Sequence, residues 1–312
     1  MHAWIATPLL PEANADPTRC MVSYADYLKS IAPHAVIVDT TAAEPVSNMY
    51  ATWLGKGVHV VTPNKKVGSG PLARYTECQE LVKSGKALWG YEVTVGAGLP
   101  ICNLLKKDLL QTGDKVHRIE GIFSGTLSYL FNVFKPGMKF SEVIADANAK
   151  GFTEPDPRDD LGGLDVARKV CILARECGMQ VELSDIPIKS LVPDALKDWK
   201  PAAGENMRDA FVKAMEAFDD EKTQLMAEAE AKDMILRFVG IVDVANKKCE
   251  VKLEMYPKTH AFAGTQWADN IVAFHTERYV PQPLVVKGPG AGAAVTAAGL
   301  YAEIIKIVDR QQ

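Results

Sequence analysis

The sequence predicts an α/β chain in two parts. A parallel sheet comes first, and an α+β region with a mixed or antiparallel sheet follows. Three observations point this way. Short apolar runs alternate with helical stretches between residues 35 and 93. Residues 101–178 hold several stretches read as helices, divided by glycine and proline. Four strand-like runs cluster between residues 235 and 287, the first two flanking a turn near Asn246.

Residues 1–34 carry Pro8, Pro11, Pro17 and Pro33 and read as irregular. Ala35–Asp39 is apolar up to a terminal acid and reads as a buried parallel strand. Thr40 and Thr41 lie at its C-terminal end, and a helical stretch runs to about Leu54, stopped by Gly55 and Gly57. Val58–Val61 reads as a second strand, followed by Thr62-Pro63-Asn64-Lys65-Lys66. A helix over Pro71–Lys83 leads to a third strand, Ala87–Val93. This order predicts a right-handed parallel sheet, whose ligands sit beyond the carboxyl ends of the strands. Thr40–Thr41, Asn64–Lys65 and Gly96–Leu99 fall at such ends. A dinucleotide domain opens with a strand, a Gly-x-Gly-x-x-Gly turn and a helix. No stretch before residue 35 has that form, so either the domain is of another kind or its first half is absent from this chain.

Beyond Val93, Gly96, Gly98 and Pro100 make a tight loop into a helix near Ile101–Leu110. His117–Phe123 reads as a strand, and Ser124-Gly125-Thr126 starts a helix through Phe134. Ser141 is placed to N-cap the next helix, with Glu142 in its first turn. Gly151–Lys169 then gathers Glu154, Asp156, Asp159, Asp160 and Asp165 with Arg158, Arg168 and Lys169. Pro155 and Pro157 are expected to stiffen the acidic part and keep it out of a helix. From Leu164, Val166, Val170, Leu173, Ala174 and Cys177 share one helical face, and Gly178 ends that helix. Residues 206–232 read as one long charged helix. Ile235–Val244 and Lys248–Met255 read as paired strands, Asn270–His275 and Leu284–Lys287 as two more. Gly288–Gly299 runs into a C-terminal helix through Asp309.

A net charge of −4 argues against a nucleic-acid partner. The six cysteines include no Cys-x-x-Cys pair and read as thiols of a reducing compartment. No apolar run spans a membrane, and Pro8 and Pro11 break any signal-peptide core. The expected location is cytoplasmic, or plastid in a photosynthetic eukaryote.

Each candidate constellation has a plain structural reading beside the chemical one. Asp165 and Lys169 are four apart on a helix. They form either a surface ion pair or a positioned proton donor beside carboxylates. Glu154 and Asp165 would suit a cationic or hydroxylated substrate. Lys65 and Lys66 are either solvated or turned to a ligand at the strand end. Gly288–Gly292 is either a tight packing contact or a loop that lets backbone approach a ligand. Glu92 and the turned carbonyls after it would suit a hard cation with oxygen ligands. The histidines lack metal-ligand spacing, and no Gly-x-Ser-x-Gly elbow is present.

Five segments together resemble homoserine dehydrogenase: Thr62–Lys65, Val95–Pro100, Gly121–Tyr129, Gly151–Lys169 and Gly290–Gly299. They match either the single-function enzyme or the C-terminal part of a bifunctional aspartate kinase–homoserine dehydrogenase. The resemblance implies reduction of L-aspartate 4-semialdehyde to L-homoserine with NADPH or NADH, on the route to threonine and methionine. It implies Lys169 as proton donor, with Lys65 as a second catalytic lysine touching substrate and cofactor. Glu154, Asp160 and Asp165 would bind substrate. Thr40, Thr41, Lys65, Gly151 and Gly292 would contact cofactor. Glu92, Val95, Ala97 and Leu99 would hold a structural monovalent cation, often sodium. It also implies a homodimer that shares a sheet, here the strands after Ile235.

On this reading residues 1–92 are a partial Rossmann-type domain completed by the helix at 293–312, and residues 93–292 form the catalytic and dimerisation domain. The missing glycine turn makes an N-terminally truncated chain the expectation. The alternative is a catalytically impaired paralogue serving as a dimerisation or metabolite-binding protein.

Overall fold

The computed structural model describes residues 17–310, beginning with helix α1 (Pro17–Ile31). This corrects the expectation of an irregular start for residues 17–31; residues 1–16 lie outside the described residues. Pro17 stands at the first helical position, where its missing N–H costs nothing. Ala25 is fully buried, and Met21, Val22 and Leu28 pack against the same core at helical spacing.

The first compact unit comprises the described residues up to Tyr91 together with those from Leu300. β1 (Val36–Val38) is followed by α2 (Glu44–Ser47) and α3 (Tyr50–Gly55), which share the stretch expected as one helix. β2 (His59–Val61), α4 (Leu72–Lys83) and β3 (Trp89–Gly90) complete the parallel sheet, in the order β1-β2-β3. The third strand is shorter than Ala87–Val93. Pairing with β2 ends at Val61↔Gly90, and a 3-10 turn begins at Glu92. Tyr50, Trp53, Leu54, Val58 and Val60 form the buried centre of this unit.

The second unit is Glu92–Gly299. A π-helical turn over Leu104–Leu110 precedes β4 (Val116–Ile122) and α5 (Gly125–Val133), which Ser124 caps through the Leu127 N–H. α6 (Phe140–Ala149) starts one residue before Ser141, so Ser141 is not its cap. Asp219 does that job instead: its carboxylate accepts the Ser141 N–H at 2.8 Å and the hydroxyl at 2.5 Å. α7 (Pro157–Leu161) and α8 (Leu164–Glu176) follow. The stretch expected as one charged helix is α9 (Met207–Met215) and α10 (Asp219–Ala231), broken where Asp219 turns inward.

β5 (Met234–Asp243), β6 (Lys248–Pro257), β7 (Asp269–Thr276) and β8 (Leu284–Pro289) join β4 in an antiparallel sheet ordered β6-β5-β4-β7-β8. Alternation sends Phe238 into the large core with Val166, Val170 and Leu173, and Val239 to the other face with Ile241 and Phe262. Gly240 makes room for α8: a Cβ there would collide with Val170 and press on Phe123. α11 (Ala293–Asp309) closes the chain. No described helix is long and apolar enough to cross a membrane.

Candidate active site

The acidic stretch is folded more tightly than its prolines suggested. Pro157 opens α7, contrary to the expectation of a non-helical segment, because proline fits the first turn of a helix. Asp156 caps that helix by accepting the Arg158 N–H, and the Arg158 hydrogen bonds hold its carboxyl below the usual range. The Arg158 guanidinium also donates to the carbonyls of Lys197 and Trp199. Burial pushes the Asp160 carboxyl up. Its Oδ2 accepts the Glu154 N–H at 2.8 Å, and its Oδ1 lies 3.0 Å from Thr126 Oγ1. Thr126 donates to the Phe152 carbonyl at 2.6 Å. Arg208, reaching from α9, donates to the carbonyls of Thr153 and Glu154. Asp160 thus braces the loop, while the Glu154 side chain is exposed and makes no hydrogen bond or ion pair with another described residue.

Lys169 lies in α8 and is 7% exposed, which removes the surface-pair reading for the lysine. Its Nζ donates to the Phe123 carbonyl at 2.6 Å and lies 2.8 Å from Asp165 Oδ2. Two of the three ammonium donors are therefore engaged, and the group is held in a fixed direction. Gly163 makes this placement possible. Its φ is +75°, and a Cβ would lie 2.9 Å from the Phe238 ring and 3.1 Å from Ile188. Any other residue there would push α8 off the sheet.

The Glu92 side chain ties down the turn that follows it. The carboxylate is 5% exposed and accepts the N–H groups of Ile101 and Cys102 on Oε1 and of Asn103 on Oε2, at 2.7, 2.8 and 2.7 Å. It thereby closes the turn around Val95, Ala97 and Leu99. Ala97 sits at a φ of 52° within that turn. Among the described residues no three His, Cys, Asp or Glu side chains cluster as a metal site.

Of the C-terminal glycines, Gly98 and Gly299 mark close packing: a Cβ on Gly98 would meet the Val295 carbonyl, and one on Gly299 would collide with Val93. Gly290 lies against the Asn270 amide. Gly292 (φ +125°) is exposed, and Gly151 (φ +74°) has open space where a Cβ would be.

Thr40, Thr41 and Lys65 belong to the first unit. Asp39, buried at the end of β1, accepts from the Thr41 N–H, the Tyr50 hydroxyl and the Asn64 amide. This network fixes the ends of β1 and β2 and leaves Thr40 and Thr41 exposed beyond the strand. Lys65 is half-buried on the turn after β2.

Sequence reasoning missed Thr126, Arg208, the Phe123 carbonyl and Asn270, whose Nδ2 donates to that same carbonyl. Thr126 and Phe123 lie inside the quoted Gly121–Tyr129 segment, which was the one signal for them.

Comparison with known proteins is consistent across the chain. A family model described as homoserine dehydrogenase matches residues 100–305. A second, described as the homoserine dehydrogenase NAD binding domain, matches residues 6–92, although the glycine turn is missing. A chloroplastic bifunctional aspartokinase/homoserine dehydrogenase of Zea mays is 52% identical over 88% of this chain, which spans 29% of that relative's length. A homoserine dehydrogenase of Schizosaccharomyces pombe is 47% identical over 91% of this chain and 76% of its own. A Candida auris protein of unknown function has a crystal structure that superposes with a TM-score of 0.88 at 37% identity, covering 98% of this chain and 83% of that one.

Proposed function

From its membership of the homoserine dehydrogenase family, we propose that this chain reduces L-aspartate 4-semialdehyde to L-homoserine with NADPH or NADH. The observation that carries the reading is the buried Lys169 ammonium, aimed by Asp165 and the Phe123 carbonyl beside an acidic loop.

The bound nicotinamide cofactor supplies a hydride to the aldehyde carbon. Lys169 gives a proton to the aldehyde oxygen as negative charge develops there, and its charge stabilises that oxygen beforehand. Glu154, exposed and without a hydrogen bond or ion pair to another described residue, suits the substrate ammonium. Asp165 holds Lys169 and faces solvent enough to touch substrate as well. Asp160 serves the substrate through the loop it braces. Lys65 suits the substrate carboxylate and cofactor.

Thr40, Thr41, Lys65, Gly151 and Gly292 are the residues we assign to the cofactor. The fit rests on the exposed threonines at a parallel strand end and on two glycines with exposed backbone. A structural monovalent cation, if bound at the 92–99 turn, would take the main-chain carbonyls of Glu92, Val95, Ala97 and Leu99, because the Glu92 carboxylate is committed to N–H groups. The reading includes a homodimer, joined through strands after Ile235, in a reducing compartment such as the cytosol or a plastid. Residues 1–92 with the C-terminal helix would carry the cofactor, and residues 93–292 the chemistry.

The test is cofactor oxidation by the purified chain with L-aspartate 4-semialdehyde, with homoserine identified by mass spectrometry. Aldehyde-dependent homoserine formation supports the reading. No turnover above a Lys169→Met control overturns it for this chain and favours the catalytically impaired paralogue.

A further inference from the structure

Two side chains meet at one main-chain oxygen. The Phe123 carbonyl accepts Lys169 Nζ at 2.6 Å and Asn270 Nδ2 at 3.2 Å. Asn270 lies in β7 opposite Gly288 of β8 and is 0% exposed. The Asn270 amide lies against Gly290, whose missing Cβ makes room for it: a Cβ there would sit 1.9 Å from Nδ2. The other amide atom, Oδ1, is buried and has no hydrogen-bond partner among the described residues. A buried acceptor without a donor destabilises a fold. An apolar residue of the same shape would fill this space without that cost. What asparagine adds is the one bond to the carbonyl that aims Lys169.

We propose that Asn270 is a positioning residue for Lys169. A carbonyl oxygen has two lone pairs. With one taken by Asn270 Nδ2, a single direction remains for the lysine ammonium, and Asp165 Oδ2 fixes the second of its three donors. The third is then directed at one point. Without the Asn270 donor the ammonium can settle between the lone pairs, and its remaining N–H swings away from the reacting oxygen. A misplacement of about 1 Å is enough to cost on the order of 10²-fold in rate. The inference rests on the reading of Lys169 as the proton donor, and it goes beyond that reading by assigning the residue that aims it.

The test uses two variants of similar shape in the whole chain, Asn270→Leu and Asn270→Asp. Both should lower kcat by about 10–10²-fold. KM for the aldehyde should stay within about threefold of the unaltered chain, as expected for an interaction made in the transition state. The solvent deuterium isotope effect on kcat should rise, because proton delivery becomes slower. Independently of turnover, the 15N ammonium resonance of Lys169, assigned by its loss in Lys169→Met, should move in both variants. A folded variant with unchanged kcat and an unmoved Lys169 resonance overturns the proposal. So does failure of both variants to fold, which would assign Asn270 to stability alone. If the unaltered chain shows no turnover, the functional reading fails, and the resonance still decides whether Asn270 sets the Lys169 environment.

Discussion

Lys169 Nζ and Asp165 Oδ2 are 2.8 Å apart across one turn of α8, yet the lysine side chain is 9% exposed and the aspartate 47%. The pair therefore has an inner cation and an outer anion. A buried ammonium needs its carboxylate, and that carboxylate is also open to a ligand. Asp165→Asn keeps the shape and removes the charge. It should lower kcat by about 10–10²-fold and also raise KM for the aldehyde. Steady-state kinetics check this; a change in KM alone would leave Asp165 with no part in holding Lys169.

Glu154→Ala should separate substrate from cofactor. Its carboxylate is exposed and engages no described residue, so its loss disturbs little of the fold. KM for the aldehyde should rise about tenfold or more, with cofactor Kd within about twofold. Kinetics and fluorescence titration of the cofactor measure the two. Equal losses in both would contradict the assignment to the substrate ammonium.

Glu92 is a test of stability. Removing its carboxylate in Glu92→Ala strands the buried N–H groups of Ile101, Cys102 and Asn103. Urea unfolding should show a loss on the order of 3 kcal/mol or more, and Glu92→Gln a smaller one. A loss under about 1 kcal/mol in Glu92→Ala would show that the turn closes without the carboxylate.

Glu120 sets an acid limb. Burial alone would raise its pKa, but the His275 hydrogen bond and the Arg118 charge outweigh it and hold the carboxyl down at about 2, against an ordinary 4.5. A group with a depressed folded pKa stabilises the fold above its unfolded pKa. That contribution, about 3 kcal/mol, is lost as pH falls from 4.5 through about 2. Glu120→Gln should flatten the fall in stability across this window, as measured by urea midpoints at stepped pH. An unchanged slope would place the acid sensitivity elsewhere.

Much of the fold was legible because it is written in local patterns. The apolar runs at 36–38 and 59–61 and the hairpin around Asn246 need only their own residues to be recognised. The acidic stretch was legible as a motif, but Pro157 was misjudged, because a proline that breaks a helix interior also starts a helix well. Pro17 hid α1 in the same way, since it too opens the helix. What stayed illegible depends on distant partners. Asp219 caps a helix 78 positions away, and Asn270 meets the Phe123 carbonyl across 147. No spacing rule carries such contacts, since they are fixed only when the sheet and α8 pack together.

The most direct test of the central claim is single-turnover reduction of L-aspartate 4-semialdehyde by the unaltered chain and by Lys169→Met, at saturating cofactor and aldehyde. Lys169→Met should remain folded by circular dichroism, bind cofactor within about twofold of the unaltered chain, and reduce aldehyde about 10²–10⁴-fold more slowly. A Lys169→Met chain that turns over within about threefold of the unaltered one would contradict the assignment of Lys169 as the proton donor.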